Sequence, residues 1–210
     1  MGSTNTPIMK KIKIHASEHL MHKLKVHHLL SDFELEDVWR VPVELNADHT
    51  LKLFMDQFKK SDDSFLKRGV AGWLFKLRIF LGWVFGWDKI KKYDQLIPGT
   101  IRARYASHEN LTHDDLPHPG SGEFIPVYQI ENEFLSEIEN KTVHAAVHFS
   151  RVPLRDNVWG VHMAVYVKPK GLFGRMYMWL IKPFRVWIVY PAMMKAAKER
   201  WEAYLAAGEG

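Results

Sequence analysis

The sequence predicts an α+β protein in which a curved antiparallel β-sheet wraps around one long C-terminal α-helix, with two helices inserted after the first strand. The order of patterns along the chain supports this prediction: a strand, two helices, several strands and a final long helix. The final helix carries an apolar stripe that requires a partner. The strand before it alternates apolar and polar residues, as a strand with one buried face does.

The composition is that of a globular protein with room for a sizeable core. The chain has 210 residues, of which 47% are hydrophobic and 25% are charged, and its net charge is +5. It contains no cysteine, which excludes disulfides, thiolate metal ligands and a cysteine nucleophile. The N-terminus shows no secretory signal, so a cytoplasmic protein is expected. We divide the chain into a basic, histidine-rich extension, residues 1–26, and a single domain, residues 27–207.

The first strand and the two helices after it are predicted from their periodicity. Residues 32–45 alternate apolar side chains, with a phase shift near Trp39, which predicts an extended strand. The next segment has apolar residues at helical spacing after Asp48, a good N-cap, so a helix is predicted to begin there. Residues 69–87 are apolar nearly all round, which predicts a second helix that is buried or at an interface.

Further strands are predicted at residues 124–130, 141–150 and 158–167. In the last of them the odd-numbered positions, from Trp159 to Val167, share one face and are expected to pack on the final helix. A turn near residues 151–157 would pair even positions with even positions, which places His162 diagonal to both His144 and His148.

The closing helix is predicted over residues 172–206. Its expected buried stripe consists of Phe173, Tyr177, Leu180, Phe184, Trp187, Pro191, Met194 and Trp201. Pro183 and Pro191 each remove a backbone donor, so we expect them to bend the helix around the sheet.

Two apolar segments raise the question of a membrane, and both are predicted not to span one. Residues 69–87 contain Lys76 and Arg78 near their middle, and residues 179–201 contain Lys182 and Arg185. Each such charge costs roughly 2.5–3.5 kcal/mol near the bilayer centre. Docking on an anionic membrane surface, through residues 69–87 and the basic C-terminal helix, stays open as an alternative.

Several stretches resemble an uncharacterised bacterial family within the START-like, birch-pollen-allergen-like helix-grip superfamily (SRPBCC). They are "DFELEDVW" (32–39), "LFKLRIFLGWVFGWD" (74–88), "FIPVY" (124–128), "NKTVHAAVH" (140–148) and "VKPKGLFGRMYMWLIKPFRVWIVYPAMM" (167–194). The last of these is the most specific, and the resemblance covers roughly residues 27–201. It implies a helix-grip fold with an internal cavity, and it supplies no reaction. Trp83 stands where the family pattern carries a charged residue.

The apolar stripe and this resemblance predict a binding module for a hydrophobic or amphipathic small molecule, lipid-like or aromatic. The cavity between sheet and C-terminal helix would be lined by Trp159, Met163, Tyr177, Leu180, Phe184, Arg185 and Trp187. A core filled by these side chains is one alternative. A cyclase- or hydratase-type enzyme, with a His, Tyr or Glu as proton shuttle in the same cavity, is another. No cofactor, catalytic residue or nucleic-acid partner is predicted, and the oligomeric state is left open.

Histidines are frequent, and two groups of them are candidate metal ligands. His15, His19 and His22 share a face if residues 14–24 form one helix, although a solvated extension is the expected state. His144, His148 and His162 are weak candidates for a metal site or a general base. They occupy the less apolar face of their strands, so we expect them to lie on an exposed polar surface.

Lys182 and Arg185 interrupt the apolar C-terminal helix three residues apart. One interpretation is that both point into solvent, since long cationic side chains readily reach water. The other is that Arg185 lies at the mouth of the cavity and binds the carboxylate or phosphate of a ligand.

Overall fold

The computed structural model describes residues 12–59, 95–119 and 124–208. The elements in chain order are α1 (Ala16–Leu20), α2 (Lys25–Leu29), β1 (Glu34–Leu45), α3 (Leu51–Lys59), α4 (Ile101–Glu109), β2 (Ile125–Gln129), β3 (Glu133–Glu139), β4 (Val143–Arg155), β5 (Val158–Pro169), α5 (Gly171–Phe184), a π-helical segment (Arg185–Val189) and α6 (Tyr190–Gly208). The helix predicted at residues 69–87, with Lys76, Arg78 and Trp83, lies outside the described residues.

The described strands form one antiparallel sheet in the order β1-β5-β4-β3-β2. With the long C-terminal helix, this confirms the predicted α+β architecture. The β4–β5 hairpin has the predicted even-to-even pairing, with Ser150 opposite His162 and His148 opposite Ala164. His162 is therefore diagonal to His148, as predicted. The prediction is wrong for His144, which pairs with Lys168 at the other end of the strand.

The phase shift predicted in the first strand is confirmed, and it is a β-bulge. Leu35 pairs with Tyr166, and Asp37 pairs with Val165, the adjacent residue of the antiparallel partner strand. Glu36 is therefore the extra residue in β1. The bulge lies three residues before Trp39, where the shift was predicted. Odd-numbered side chains before the bulge consequently lie on the opposite face of the sheet from odd-numbered side chains after it.

The two described helices between β1 and β2 begin at threonine caps. The Thr50 hydroxyl accepts a hydrogen bond from the Leu53 amide (3.1 Å), so the prediction of Asp48 as N-cap is wrong. Asp48 lies in the preceding turn. Helix α4 was not predicted, although Thr100 caps it by accepting from the Ala103 amide at 3.1 Å. Its low hydrophobic periodicity concealed it, because it carries several charges.

One face of the sheet packs on α3, α5 and α6, and we call it the helix face. Its buried side chains include Trp39, Val41, Val161, Met163, Val165, Tyr190, Met194 and Trp201. The prediction that odd-numbered positions of β5 face the final helix is confirmed for Val161 through Val167. Trp159, at the start of the strand, is partly buried against the same cluster.

The opposite face is covered by α1, α2 and α4, and we call it the histidine face. Val26 and Leu29 of α2 and Ile101 and Tyr105 of α4 are buried on it, together with Leu135 of β3. The described N-terminal residues are therefore packed against the sheet, with His19 of α1 fully buried, rather than solvated. This second layer gives the sheet a buried environment on both sides.

The predicted stripe on the C-terminal helix is wrong in its first half and right in its second half. Met194 and Trp201 are buried as predicted, whereas Leu180, Phe184 and Trp187 are exposed. The buried side of α5 carries Gly174 and Met178, one residue further along than the predicted stripe.

Two features set this register. A Cβ at Gly174 would overlap the backbone oxygen of Thr142, so only glycine lets α5 approach the sheet here. In the π segment, the Tyr190 amide donates to the Arg185 carbonyl five residues earlier. Because this turn contains one extra residue, a stripe drawn at α-helical spacing matches only one half of the helix.

Candidate functional site

Two places in the described structure carry unusual chemistry: a buried polar cluster on the histidine face, and an exposed apolar surface on α5. The buried cluster begins with Glu133 on β3. Its carboxylate accepts hydrogen bonds from the Lys25 and Val26 amides (2.8 and 3.2 Å), the Tyr128 hydroxyl (3.0 Å) and His148 Nε2 (3.0 Å). One side chain therefore joins β2, β3, β4 and the start of α2.

Glu137, four residues along the same strand, repeats the arrangement. Its carboxylate accepts from the Ile101 and Arg102 amides at the start of α4, both at 2.8 Å. It also contacts His144 Nε2 at 2.7 Å. Each glutamate thus binds the N-terminus of one helix, where the helix dipole favours negative charge, and one histidine of β4.

The charge states of the first group follow from its hydrogen bonds. Burial alone would raise the pKa of Glu133, but the hydrogen bond from His148 and the two backbone amides outweigh it and lower the pKa to about 2. Burial raises the pKa of Tyr128, so its hydroxyl stays protonated and donates. An ionised carboxylate only accepts, so His148 Nε2 carries the proton and Nδ1 keeps a lone pair.

His19 of α1 lies at the centre of a group of imidazoles. Its ring centre is 5.2 Å from that of His27, 5.6 Å from His148 and 5.8 Å from His162. His19, His148 and His162 are buried. Their unpartnered nitrogens are both of His19, both of His162 and Nδ1 of His148.

These rings are held neutral by their surroundings. Burial, and then the neighbouring imidazoles His148, His27 and His162, lower the pKa of His19 to about 2. Burial, followed by His22 and Arg40, lowers the pKa of His162 to about 4. Burial lowers the pKa of His148 despite its bond to Glu133. All three are therefore uncharged near neutral pH.

The structure corrects the exposure predicted for the three strand histidines. His144, His148 and His162 are buried, because the N-terminal segment and α4 cover the face that the sequence pattern suggested was wet. Among the described residues, no three His, Asp or Glu side chains are arranged to hold a metal ion. His15 and His22 also fail to share a helical face with His19, since α1 ends at Leu20.

The second place is a continuous apolar surface on α5 and the π segment. We call it the exposed apolar face, and it consists of Leu172, Phe173, Met176, Trp179, Leu180, Phe184 and Trp187. These positions recur at intervals of three and four residues, which puts them on one side of the helix. Trp179 is 75% exposed, Leu180 58% and Trp187 71%.

Cations border this face. Arg175 and Lys182 lie four residues before and three residues after Trp179, so both flank its ring on the helix surface. Both are exposed, and Arg175 makes no ion pair with any described residue. Residues 157–198 contain seven Lys and Arg and no Asp or Glu. The surface therefore combines exposed aromatic side chains with positive charge.

Arg185 does not point into solvent as one interpretation predicted, and its binding of an anionic ligand stays a prediction. Its guanidinium lies 3.2 Å from Glu36, the bulge residue of β1, and Lys182 Nζ lies 3.1 Å from the same carboxylate. The Arg185 side chain is 14% exposed, so it does not point into solvent. It also donates to the Tyr190 hydroxyl at 3.5 Å. Arg185 thus joins the π segment to the edge strand of the sheet.

The residues predicted to line a cavity do not form one group. Met163 is buried in the core of the helix face, and Trp159 and Tyr177 are partly buried at its border. Leu180, Phe184 and Trp187 point to the opposite side of the helix, on the exposed apolar face. His19 was predicted to lie in a solvated extension, whereas it is buried, and neither Glu133 nor Glu137 was predicted from the sequence. The repeated spacing of Glu133 and Glu137 on β3 and of His144 and His148 on β4 was the available signal.

In the part of the chain that the structure describes, no helix is both long and apolar enough to cross a bilayer. No curated protein and no solved structure matches this chain. A family model does match residues 29–192, which are most of its length. The matched region begins at the last residue of α2, so α1 and its residue His19 lie outside it. The chain belongs to this family, DUF2867, a protein family of unknown function.

Proposed function

We propose that the protein binds the surface of anionic lipid membranes through the exposed apolar face of α5. The observation that carries this proposal is the exposure of Trp179, Leu180 and Trp187 on one side of a helix whose other side is packed on the sheet. Monomeric soluble proteins rarely expose large contiguous apolar patches without an interaction to make. Tryptophan is also enriched at membrane interfaces, where its ring suits the headgroup level.

Charge favours an anionic lipid over a protein surface of mixed charge. Arg175 and Lys182 flank the apolar side chains, and the strand and helix that carry the face have no acid between residues 157 and 198. Each cation near an anionic bilayer contributes about 1 kcal/mol. An interfacial helix with apolar residues on one side and basic residues beside them lies in the plane of the membrane rather than across it.

The sequence predicted an amphipathic ligand in a cavity between the sheet and the C-terminal helix. The proposal keeps an amphipathic ligand and moves its binding site to the exposed apolar face. A lipid is an amphipathic molecule, but Leu180, Phe184 and Trp187 would meet it at the surface rather than inside a cavity. Cytoplasmic location and kinship with the START-like superfamily are part of the proposal, and the antiparallel sheet with its long C-terminal helix supports the latter. A small-molecule cavity, and a cyclase- or hydratase-type reaction in it, stay predictions from the sequence.

Vesicle co-sedimentation tests this function. The wild type is expected to sediment with vesicles of phosphatidylserine and phosphatidylcholine at low salt, and to be released by salt. Replacing both Trp179 and Trp187 by Ala removes about 1 kcal/mol for each ring, so the partition coefficient should fall about tenfold or more. Met21→Ala is the matched control, because Met21 is 72% exposed and lies on the N-terminal segment.

The charge contribution has its own control. Arg175→Gln should weaken binding to anionic vesicles, whereas Arg155→Gln, at the end of β4 far from α5, should not. Equal sedimentation with neutral and anionic vesicles would contradict the proposal. So would a tryptophan-dependent oligomer in the absence of vesicle binding, since the face would then be a contact between protein copies.

A further inference from the structure

The segment that contains α1, residues 13–22, is held on the sheet by polar contacts and by Ile14, which packs on the buried cluster of the histidine face. The single buried residue of α1 is His19, while Leu20 and Met21 are exposed. Around it, Lys13 pairs with Asp37 at 2.7 Å, Glu18 pairs with Arg40, and the Ile14 amide donates to the Val38 carbonyl at 3.2 Å. No large apolar side chain of α1 therefore contributes to its docking.

The surroundings of His19 disfavour any positive charge. The titratable and charged groups that face the cluster are Glu18 and His22 on the N-terminal segment, His27 on α2, Arg40 on β1, Glu133 on β3, His148 on β4, and His162 and Tyr166 on β5. Glu133 is already committed to His148, Tyr128 and two amides. Glu18 pairs with Arg40 and lies 3.9 Å from His162. Among the residues that the structure describes, no carboxylate directly partners His19.

We propose that the α1 segment is an acid-released plug, which leaves the histidine face when the imidazoles beneath it gain protons. A proton on His19 would be buried among neutral imidazoles in the docked state, with no carboxylate of the described residues in contact with it. Undocking brings His19 and His162 into water, where a protonated imidazole is solvated. Release also uncovers the pair of His148 and Glu133 and the buried Ser150 hydroxyl beside them.

The direction of the pH dependence follows from proton binding. In the docked state the pKa of His19 is lowered to about 2 and that of His162 to about 4, so neither is charged at pH values near neutrality. In the released state both return toward the usual value of about 6.5. The released state therefore binds more protons below about pH 6.5, and docking weakens as the pH falls through that value. Docking is fully present above it.

Hydrogen exchange with mass spectrometry on the full chain tests this inference, with a chelator present so that no metal bridges the imidazoles. Between about pH 8 and pH 5, protection of residues 13–22 should fall about 30-fold for each histidine that gains a proton on release, after correction for intrinsic exchange. Protection of α4, whose Ile101 and Tyr105 are buried, should not change in parallel.

Variants identify the sensor. His19→Gln should remove about one proton from the pH dependence of opening, which is a tenfold smaller change per pH unit. His28→Gln is the matched control, because His28 is an exposed histidine of α2, and it should leave the dependence unchanged. If His19→Gln does not fold, His162→Gln makes the same test. Constant protection of residues 13–22 across this pH range, an unaltered dependence in these variants, or parallel loss in α4 would each overturn the proposal.

Discussion

Glu133→Gln is expected to lower the free energy of unfolding by about 3–5 kcal/mol. The carboxylate of Glu133 accepts from four donors, on Lys25, Val26, Tyr128 and His148. A glutamine would keep one oxygen and place an NH₂ group where donors already point, so buried donors would lose their partner. Each unpaired buried group costs about 1–3 kcal/mol, and the lost charge adds to this.

Urea denaturation measures this effect, with Glu131→Gln as the control. Glu131 is exposed and lies two residues before Glu133, so its replacement should change stability by less than about 0.5 kcal/mol. In the wild type, the stability that Glu133 contributes should be present above about pH 4.5 and be lost as the pH falls toward about 2. A loss below about 1 kcal/mol in Glu133→Gln would mean that its donors find other partners.

Trp39→Ala should cost about 3–5 kcal/mol of unfolding free energy, whereas Trp187→Ala should cost less than about 0.5 kcal/mol. Trp39 is 1% exposed and packs on Tyr190 with ring centres 5.2 Å apart, so its removal leaves a cavity in the core. Trp187 is 71% exposed on the far side of the helix, so little packing is lost.

The same denaturation series compares the two tryptophans directly. Both substitutions remove the same side chain, so the difference between them reports burial together with a smaller effect of Ala, which favours a helix over a strand. Similar losses in the two variants would show that Trp187 is packed against the protein, and that the register of α5 given by Gly174 and Met178 is wrong. Tryptophan fluorescence gives a second measurement. Trp187→Ala should remove the emission of an exposed indole while the free energy of unfolding changes little.

The sequence was sufficient where the signal is local and repeats along one element. The alternation in β5 placed Val161 to Val167 on the helix face, and the even-to-even pairing of β4 with β5 followed from a short turn. The phase shift in β1 was visible because two adjacent apolar residues, Val38 and Trp39, interrupt the alternation. The overall architecture could be inferred because a long apolar helix after several strands has few ways to bury itself.

The rest depends on contacts between distant parts of the chain or on one residue in a turn. The polar face of β4 was interpreted as exposed because nothing in its own pattern shows that α2 and α4 cover it. The docking of the Lys25 amide on Glu133 joins positions 108 residues apart. The stripe on the final helix failed because one π turn shifts the register, and a period of 3.6 residues does not contain that information.

The two glutamates of β3 have a consequence for how the chain is made. The helix that each one holds precedes it in the sequence: α2 ends at Leu29 and α4 ends at Glu109, while β3 begins at Glu133. On a ribosome, both helices emerge before the carboxylates that receive their first amides, and β1 emerges long before β5, its partner in the sheet. Contacts this distant form slowly. We therefore expect α2 and β1 to leave the exit tunnel without their final neighbours, and to reach their native places only after the β4–β5 hairpin has been synthesised.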